Sequence, residues 1–260
     1  MLREVIDGLA VCRVERSVPA RIVFVHGVMD RGATFLAVAR RLEHASWITY
    51  DRRGYGRSVA TTVPSFDDHV DDLVGLLGAE ARRGPVVVVG HSLGGTIALR
   101  AACTSPESVT AVVVHEPPAP WLDWWPIADA EGRRIEDEVP EVAVVRMMDR
   151  IAGPGVWERL PERTRHQRIS EGPVMVSELV GARAPDNGDL HDLVAPVVVT
   201  RSASSGGHRA RAQRWFLDVL HDGRGHVFDD GGHNIQSTHP RSVVDLLTPI
   251  IGRVSDTDPT

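Results

Sequence analysis

Gly90-His91-Ser92-Leu93-Gly94-Gly95 decides how this chain is read, standing between Pro85-Val86-Val87-Val88-Val89 and Thr96-Ile97-Ala98-Leu99-Arg100-Ala101-Ala102. Four consecutive valines suit a strand buried on both faces, as in a parallel sheet. The residues after Ser92 are rich in Ala and Leu at helical spacing, which predicts a helix to about Thr104, stopped by Pro106. Ser92 then sits at a sharp strand-to-helix turn with glycine two positions before and two after it, the G-x-S-x-G nucleophile elbow. So tight a turn has no room for a Cβ at Gly90 or Gly94, and it holds the serine in strained backbone with Oγ above the sheet. The helix N-terminus beneath adds N–H groups and a field that favours a developing oxyanion. A plain glycine-rich turn with a capping serine has the same letters; the valine strand before and the Ala-rich helix after favour catalysis.

The composition frames that motif. At 260 residues the chain suits one α/β domain with an insertion, and its 42% apolar content suffices for a large core. The net charge of −6 and the absence of a basic stripe argue against a nucleic-acid partner. Every cationic residue is Arg, with no Lys, a pattern that hints at a GC-rich bacterial genome. Cys12 and Cys103 lack metal or redox spacing and read as thiols in a reducing cytoplasm. Neither a signal-peptide core nor a membrane-spanning run is visible, so the expectation is a soluble, cytoplasmic protein with no membrane partner.

Outward from the elbow, residues 4–16 read as a hairpin turning at Asp7-Gly8. Arg21-Ile22-Val23-Phe24-Val25 is a buried strand that runs into His26-Gly27-Val28, followed by a helix near 33–43. Trp47-Ile48-Thr49-Tyr50 is the next strand, ending in Asp51-Arg52-Arg53-Gly54-Tyr55-Gly56-Arg57-Ser58. That turn lacks the third glycine and immediate helix of a dinucleotide cradle, and it reads as a brace for the floor of the site. Residues 65–81 predict a helix with Phe66, Val70, Leu73, Val74 and Leu77 on one face. Asp67, Asp68, Asp71 and Asp72 then form a solvated charge run, not a metal site.

Val109 to Val114 is a further strand and ends in His115-Glu116-Pro117-Pro118. Residues 119–190 change character: Trp121, Trp124, Trp125 and Trp157 occur there among helical pieces such as 129–138 and 141–151. They read as a helical cap inserted into a core made of residues 1–118 and 191–260, with Trp121, Trp124, Trp125 and His26 as candidate substrate contacts. The core resumes with a strand at 195–200, a helix near 208–220, a strand at 225–228 leading to Gly231-Gly232-His233, and a helix at 240–252. Residues 254–260 read as a frayed tail. Strands alternating with helices predict a doubly wound, mostly parallel sheet. The late histidines, His221, His226, His233 and His239, have no compact zinc pattern, so neither metal nor cofactor is expected.

Laid out in this way, the chain resembles the α/β-hydrolase superfamily along nearly its whole length. The resemblance rests on His26-Gly27, the Asp51 to Ser58 turn, the Gly90 to Gly95 elbow, the insertion after the next strand, and Gly232-His233 after the last one. It implies an α/β-hydrolase fold with Ser92 as nucleophile, His233 as general base, and the N–H groups of Val28 and Leu93 as oxyanion hole. The acid departs from the common pattern. The loop Arg201 to His208, where most members carry an Asp, has no carboxylate. Some members place the acid one strand earlier, which implies Glu116; the rival reading makes Glu116 a hinge cap, with His233 oriented by a carbonyl or a serine hydroxyl.

The expected chemistry is hydrolysis of a small or medium carboxylic ester through an acyl-enzyme on Ser92. Lactone, thioester and carbon–carbon bond cleavage remain open, as do cofactor-free perhydrolysis and a ligand-sensing protein with little turnover. The apolar wall and the lack of a conspicuous anion clamp favour a small or medium ester; Arg133 and Arg134 could bind a carboxylate, but at a charged helix they read as solvated. The sequence is silent on oligomeric state.

Overall fold

A computed structural model describes residues 1–128, 132–184 and 190–256. Eight strands form one sheet in the order β1-β2-β4-β3-β5-β6-β7-β8. β1 (Leu2–Ile6) and β2 (Leu9–Val14) make the expected hairpin through Asp7 and Gly8, both at positive φ. β2 runs antiparallel to β4 (Ser46–Tyr50). The pairings among β3 (Arg21–Val25), β4, β5 (Val86–His91), β6 (Ala111–His115), β7 (Val197–Ser202) and β8 (Gly223–Phe228) are parallel.

The valine runs give this sheet two buried faces because side chains alternate along a strand. Val23, Val88, Val112 and Val114 point to one face, where they meet α2 (Phe66–Ala81), α3 (Leu93–Thr104) and α8 (Gly207–Val219). Their neighbours Ile22, Phe24, Val87, Val89 and Val113 point to the other, against α1 (Leu36–Ala39) and α10 (Pro240–Asp256). Ser65 caps α2 through a reciprocal bond with Asp68, and Arg53 pairs with Asp72. Asp68 and Asp72 are thus spent on a cap and an ion pair, and Asp67 and Asp71 stay exposed.

Between β6 and β7 the chain forms α4 (Pro140–Ala152), α5 (Val156–Arg159), α6 (Glu162–Ser170) and α7 (Gly172–Gly181), and α9 (Ile235–Thr238) precedes α10. Three local expectations are corrected. The helix at 33–43 is a 3₁₀ turn, Gly32–Phe35, followed by the four residues of α1. The helix at 129–138 is absent where it is described: Arg134 bridges to Ala128 as extended backbone and only Ile135–Asp137 makes a 3₁₀ turn, while 129–131 lie outside the described residues. Gly132 at positive φ and Pro140 bound that stretch and keep it from propagating a helix. The tail read as frayed from 254 is helical to Asp256 and buries Val254, whereas 257–260 lie outside the described residues. Among the described residues no helix is long and apolar enough to cross a membrane.

The inserted helices are bolted to the sheet by buried charge. Glu178 of α7 is 0% exposed and pairs with Arg52, which is 1% exposed. It also accepts the Tyr55 hydroxyl at 2.6 Å, and His69 of α2 lies 3.3 Å away. Burial works to raise the Glu178 pKa, but Arg52 and His69 outweigh it and hold the value near 2. A second tie joins Arg31 to Glu171, where α6 meets α7. Glu178→Ala leaves the Arg52 guanidinium buried with no carboxylate, so a loss of about 3–5 kcal/mol is expected in urea unfolding. An unchanged unfolding midpoint would contradict this role.

Candidate active site

The strand-to-helix turn after β5 is built as its glycines demand. A Cβ on Gly90 would lie 2.5 Å from the Gly94 oxygen, and one on Gly94 would strike the Val25 and His26 carbonyls. Ser92 is left at φ 51 and ψ −127, a conformation that L-residues rarely adopt. Its N–H donates to the His115 carbonyl at 2.9 Å and its carbonyl accepts the Gly95 N–H at 2.7 Å, which hold the strain in place.

His233 follows β8 and reaches the same cavity as Ser92. Its Nδ1–H donates to Glu116 Oε2 at 2.7 Å, which leaves Nε2 as the acceptor nitrogen. The His91 ring, 4.7 Å from His233 between centroids, donates through Nε2 to the His233 carbonyl at 2.7 Å. His91 is thus a buttress for the loop and not a rival for the proton.

Glu116 stands at the end of β6 with φ 49. Its Oε1 accepts the Ser202 N–H at 3.1 Å and the Ser205 hydroxyl, and its Oε2 also faces Arg209 Nε at 3.1 Å. The loop that has no carboxylate of its own therefore supplies donors to Glu116. Burial pushes the Glu116 pKa up, yet the bond from His233, the nearby His115 and the Ser205 hydroxyl overcome it and hold the carboxyl well below its usual range. His233 is lowered from its ordinary value, first by burial and then by the charges of Arg209 and Arg150, against the raising effect of Glu116. The result is a neutral imidazole beside an ionised carboxylate.

Val28 and Leu93 line the cavity with Ser92, and among the described residues neither backbone N–H has a hydrogen-bond acceptor. Two donors, a hydroxyl, an imidazole and a carboxylate in this order can transfer a proton and receive an oxyanion.

His26 is placed elsewhere than expected. It is fully buried, its Nε2 accepts the Arg52 N–H at 2.9 Å, and its other ring nitrogen lies 2.8 Å from the Gly27 carbonyl. The Asp51 to Ser58 turn thus braces the loop that carries Val28, and His26 is a strut within it. Trp121 packs edge-on against Trp215 at 5.8 Å, and Trp124 lies under Arg211 at 4.2 Å. Of the three candidate tryptophans only Trp125 lines the cavity, edge-on to His208 at 5.1 Å. Sequence reasoning missed the Ser202 and Ser205 cradle, the His91 buttress and Arg209, because each depends on a neighbour remote in sequence.

The model of the alpha/beta hydrolase family matches residues 22–246. Lipase LipV of Mycobacterium tuberculosis is 38% identical over 112 residues, which cover 43% of this chain and 42% of that protein. The 2-(acetamidomethylene)succinate hydrolase of Mesorhizobium japonicum is 33% identical over 113 residues, covering 43% of this chain and 38% of that one. The match therefore spans less than half the length of either relative. An esterase from Exiguobacterium antarcticum superposes with a TM-score of 0.70 at 18% identity, over 96% of this chain and 98% of that one, a likeness of fold.

Proposed function

Because the chain belongs to the alpha/beta hydrolase family, we propose that it is a hydrolase that cleaves a carboxylic ester through an acyl-enzyme on Ser92. The observation that carries this reading is the Glu116–His233 bond of 2.7 Å beside a strained serine in one cavity. His233 Nε2 takes the Ser92 proton as Oγ attacks the carbonyl carbon, and Glu116 holds the imidazole and stabilises its charged form. The N–H groups of Val28 and Leu93 receive the oxyanion, each such donor contributing about 3 kcal/mol. The alkoxide leaves with the proton from His233, and water activated by the same imidazole releases the acid.

The segment between β6 and β7 serves in this reading as the cap that excludes water and shapes the acyl pocket. The relatives' names range from a lipase to a 2-(acetamidomethylene)succinate hydrolase, so they support hydrolysis, the lipase that of an ester, without choosing an acyl group. The reading places the enzyme in a reducing cytoplasm, with Cys12 and Cys103 as thiols.

The test is hydrolysis of p-nitrophenyl acetate through octanoate by the purified protein, with turnover expected and chain-length preference reporting the pocket. No turnover of any ester would contradict the proposal. A pH profile adds a sharper check. Protonation of His233 stops it from accepting the Ser92 proton, so kcat/KM falls as pH falls through its pKa. Since that pKa is lowered, the acid limb is expected below the ordinary imidazole value of about 6.5. Arg209→Gln removes a depressing cation, so the limb should move up in pH; an unmoved limb would contradict this assignment.

A further inference from the structure

The cavity wall holds five arginines: Arg133, Arg146, Arg150 and Arg183 from the inserted segment, and Arg209 from α8. Among the described lining residues the one carboxylate is Glu116, already engaged by His233 and Arg209. α4 turns Arg146 and Arg150 to the cavity together with Met147 and Ile151, so one helix face supplies both charge and apolar wall. Like charges four residues apart weaken a helix, so their shared orientation calls for a compensating anion.

The carboxylates that steady these side chains lie outside the cavity lining. Arg146 meets Glu138 at 3.1 Å, and Arg183 engages both oxygens of Glu136. Such pairs fix where the guanidinium groups stand. Arg150 differs, having no hydrogen bond or ion pair among the described residues. The residue is exposed at the cavity wall, and partial desolvation of its charge and then the charges of Arg209 and Arg146 lower its pKa. An exposed cation beside other cations, with no carboxylate of its own, is a ready partner for an entering anion. The guanidinium fork matches a planar carboxylate, and a cavity of about 160 Å³ is sized for a small acid.

We propose that the substrate is a half-ester of a short dicarboxylic acid, whose free carboxylate is held by Arg150 with Arg146 and Arg209 beside it. This narrows the small or medium ester expected from the sequence to one that carries an anion, and it rests on the reading of Ser92 as the site of ester cleavage. The reaction adds water across the ester and releases the diacid and an alcohol.

The experiment compares monomethyl glutarate with methyl pentanoate, which share an acyl chain length, by pH-stat titration with wild type and Arg150→Gln. Wild type is expected to favour the half-ester by roughly 10- to 100-fold in kcat/KM, the scale of hydrogen bonds to charged groups. Arg150→Gln should abolish that ratio, chiefly through KM. A wild-type ratio of one or less, or a ratio unchanged in the variant, overturns the proposal. Calorimetric binding of glutarate to Ser92→Ala, with and without Arg150→Gln, needs no turnover. Glutarate binding that depends on Arg150, with no ester hydrolysed, sinks the hydrolytic reading and keeps the anion site. Hydrolysis of methyl pentanoate without glutarate binding does the reverse. Inorganic phosphate binding more tightly than glutarate would overturn the carboxylate assignment.

Discussion

Ser92→Ala should lower kcat on any hydrolysed ester by roughly 10⁶-fold, the scale found when a triad nucleophile is removed. The substitution deletes one oxygen and leaves the architecture intact. The backbone bonds that hold the turn, Ser92 N–H to the His115 carbonyl and Gly95 N–H to the Ser92 carbonyl, do not involve the side chain. Alanine meets the same strain at φ 51 as serine does. The melting temperature should therefore stay close to wild type while turnover collapses to what the oxyanion donors and binding alone supply. A rate near wild type would remove Ser92 from the mechanism.

Glu116→Gln should cost about 10⁴-fold in kcat, as when the acid of a triad becomes an amide. The reason lies in what surrounds the carboxylate. Oε1 accepts from Ser202 N–H and the Ser205 hydroxyl, and Oε2 accepts from His233 and Arg209. Every neighbour is a donor, so an amide NH₂ faces a donor whichever way it is turned. If it faces His233, the imidazole moves its proton to Nε2 and loses the acceptor that Ser92 needs. If it faces Ser202 and Ser205, the loop that positions the carboxyl group loosens. Stability should fall by much less than activity. An intact rate, or a protein that fails to fold, would make Glu116 structural and move the acid elsewhere.

The parts of the fold that the sequence exposes are those governed by local chemistry. Consecutive valines demand a doubly buried strand, and Gly90 and Gly94 bracket a turn where a Cβ cannot fit, so both read correctly from the letters. His233 stood out because it follows the last strand on a Gly-Gly loop. Glu116 was legible only through chain order and resemblance, since its cradle comes from Ser202 and Ser205, more than eighty positions away. His26 misled because its place before Gly27 suggests the cavity rim, whereas Arg52 folds back and closes over it. The arginine wall was only partly legible. Arg146 and Arg150 share the four-residue spacing of one helix face, but Arg133, Arg183 and Arg209 lie on separate stretches, and only the fold gathers all five at one cavity. The tryptophans divide likewise: Trp121 and Trp124 are bound to α8, and only Trp125 is turned to the cavity.

The most direct test of Ser92 as nucleophile is mass spectrometry of the protein after exposure to diisopropyl fluorophosphate. The hydroxyl attacks phosphorus and fluoride departs, leaving a stable covalent adduct. One adduct per chain, mapped to the peptide that carries Ser92 and missing from Ser92→Ala, is the predicted result. An unmodified Ser92 in a protein that hydrolyses esters, or an adduct on another residue, would contradict it.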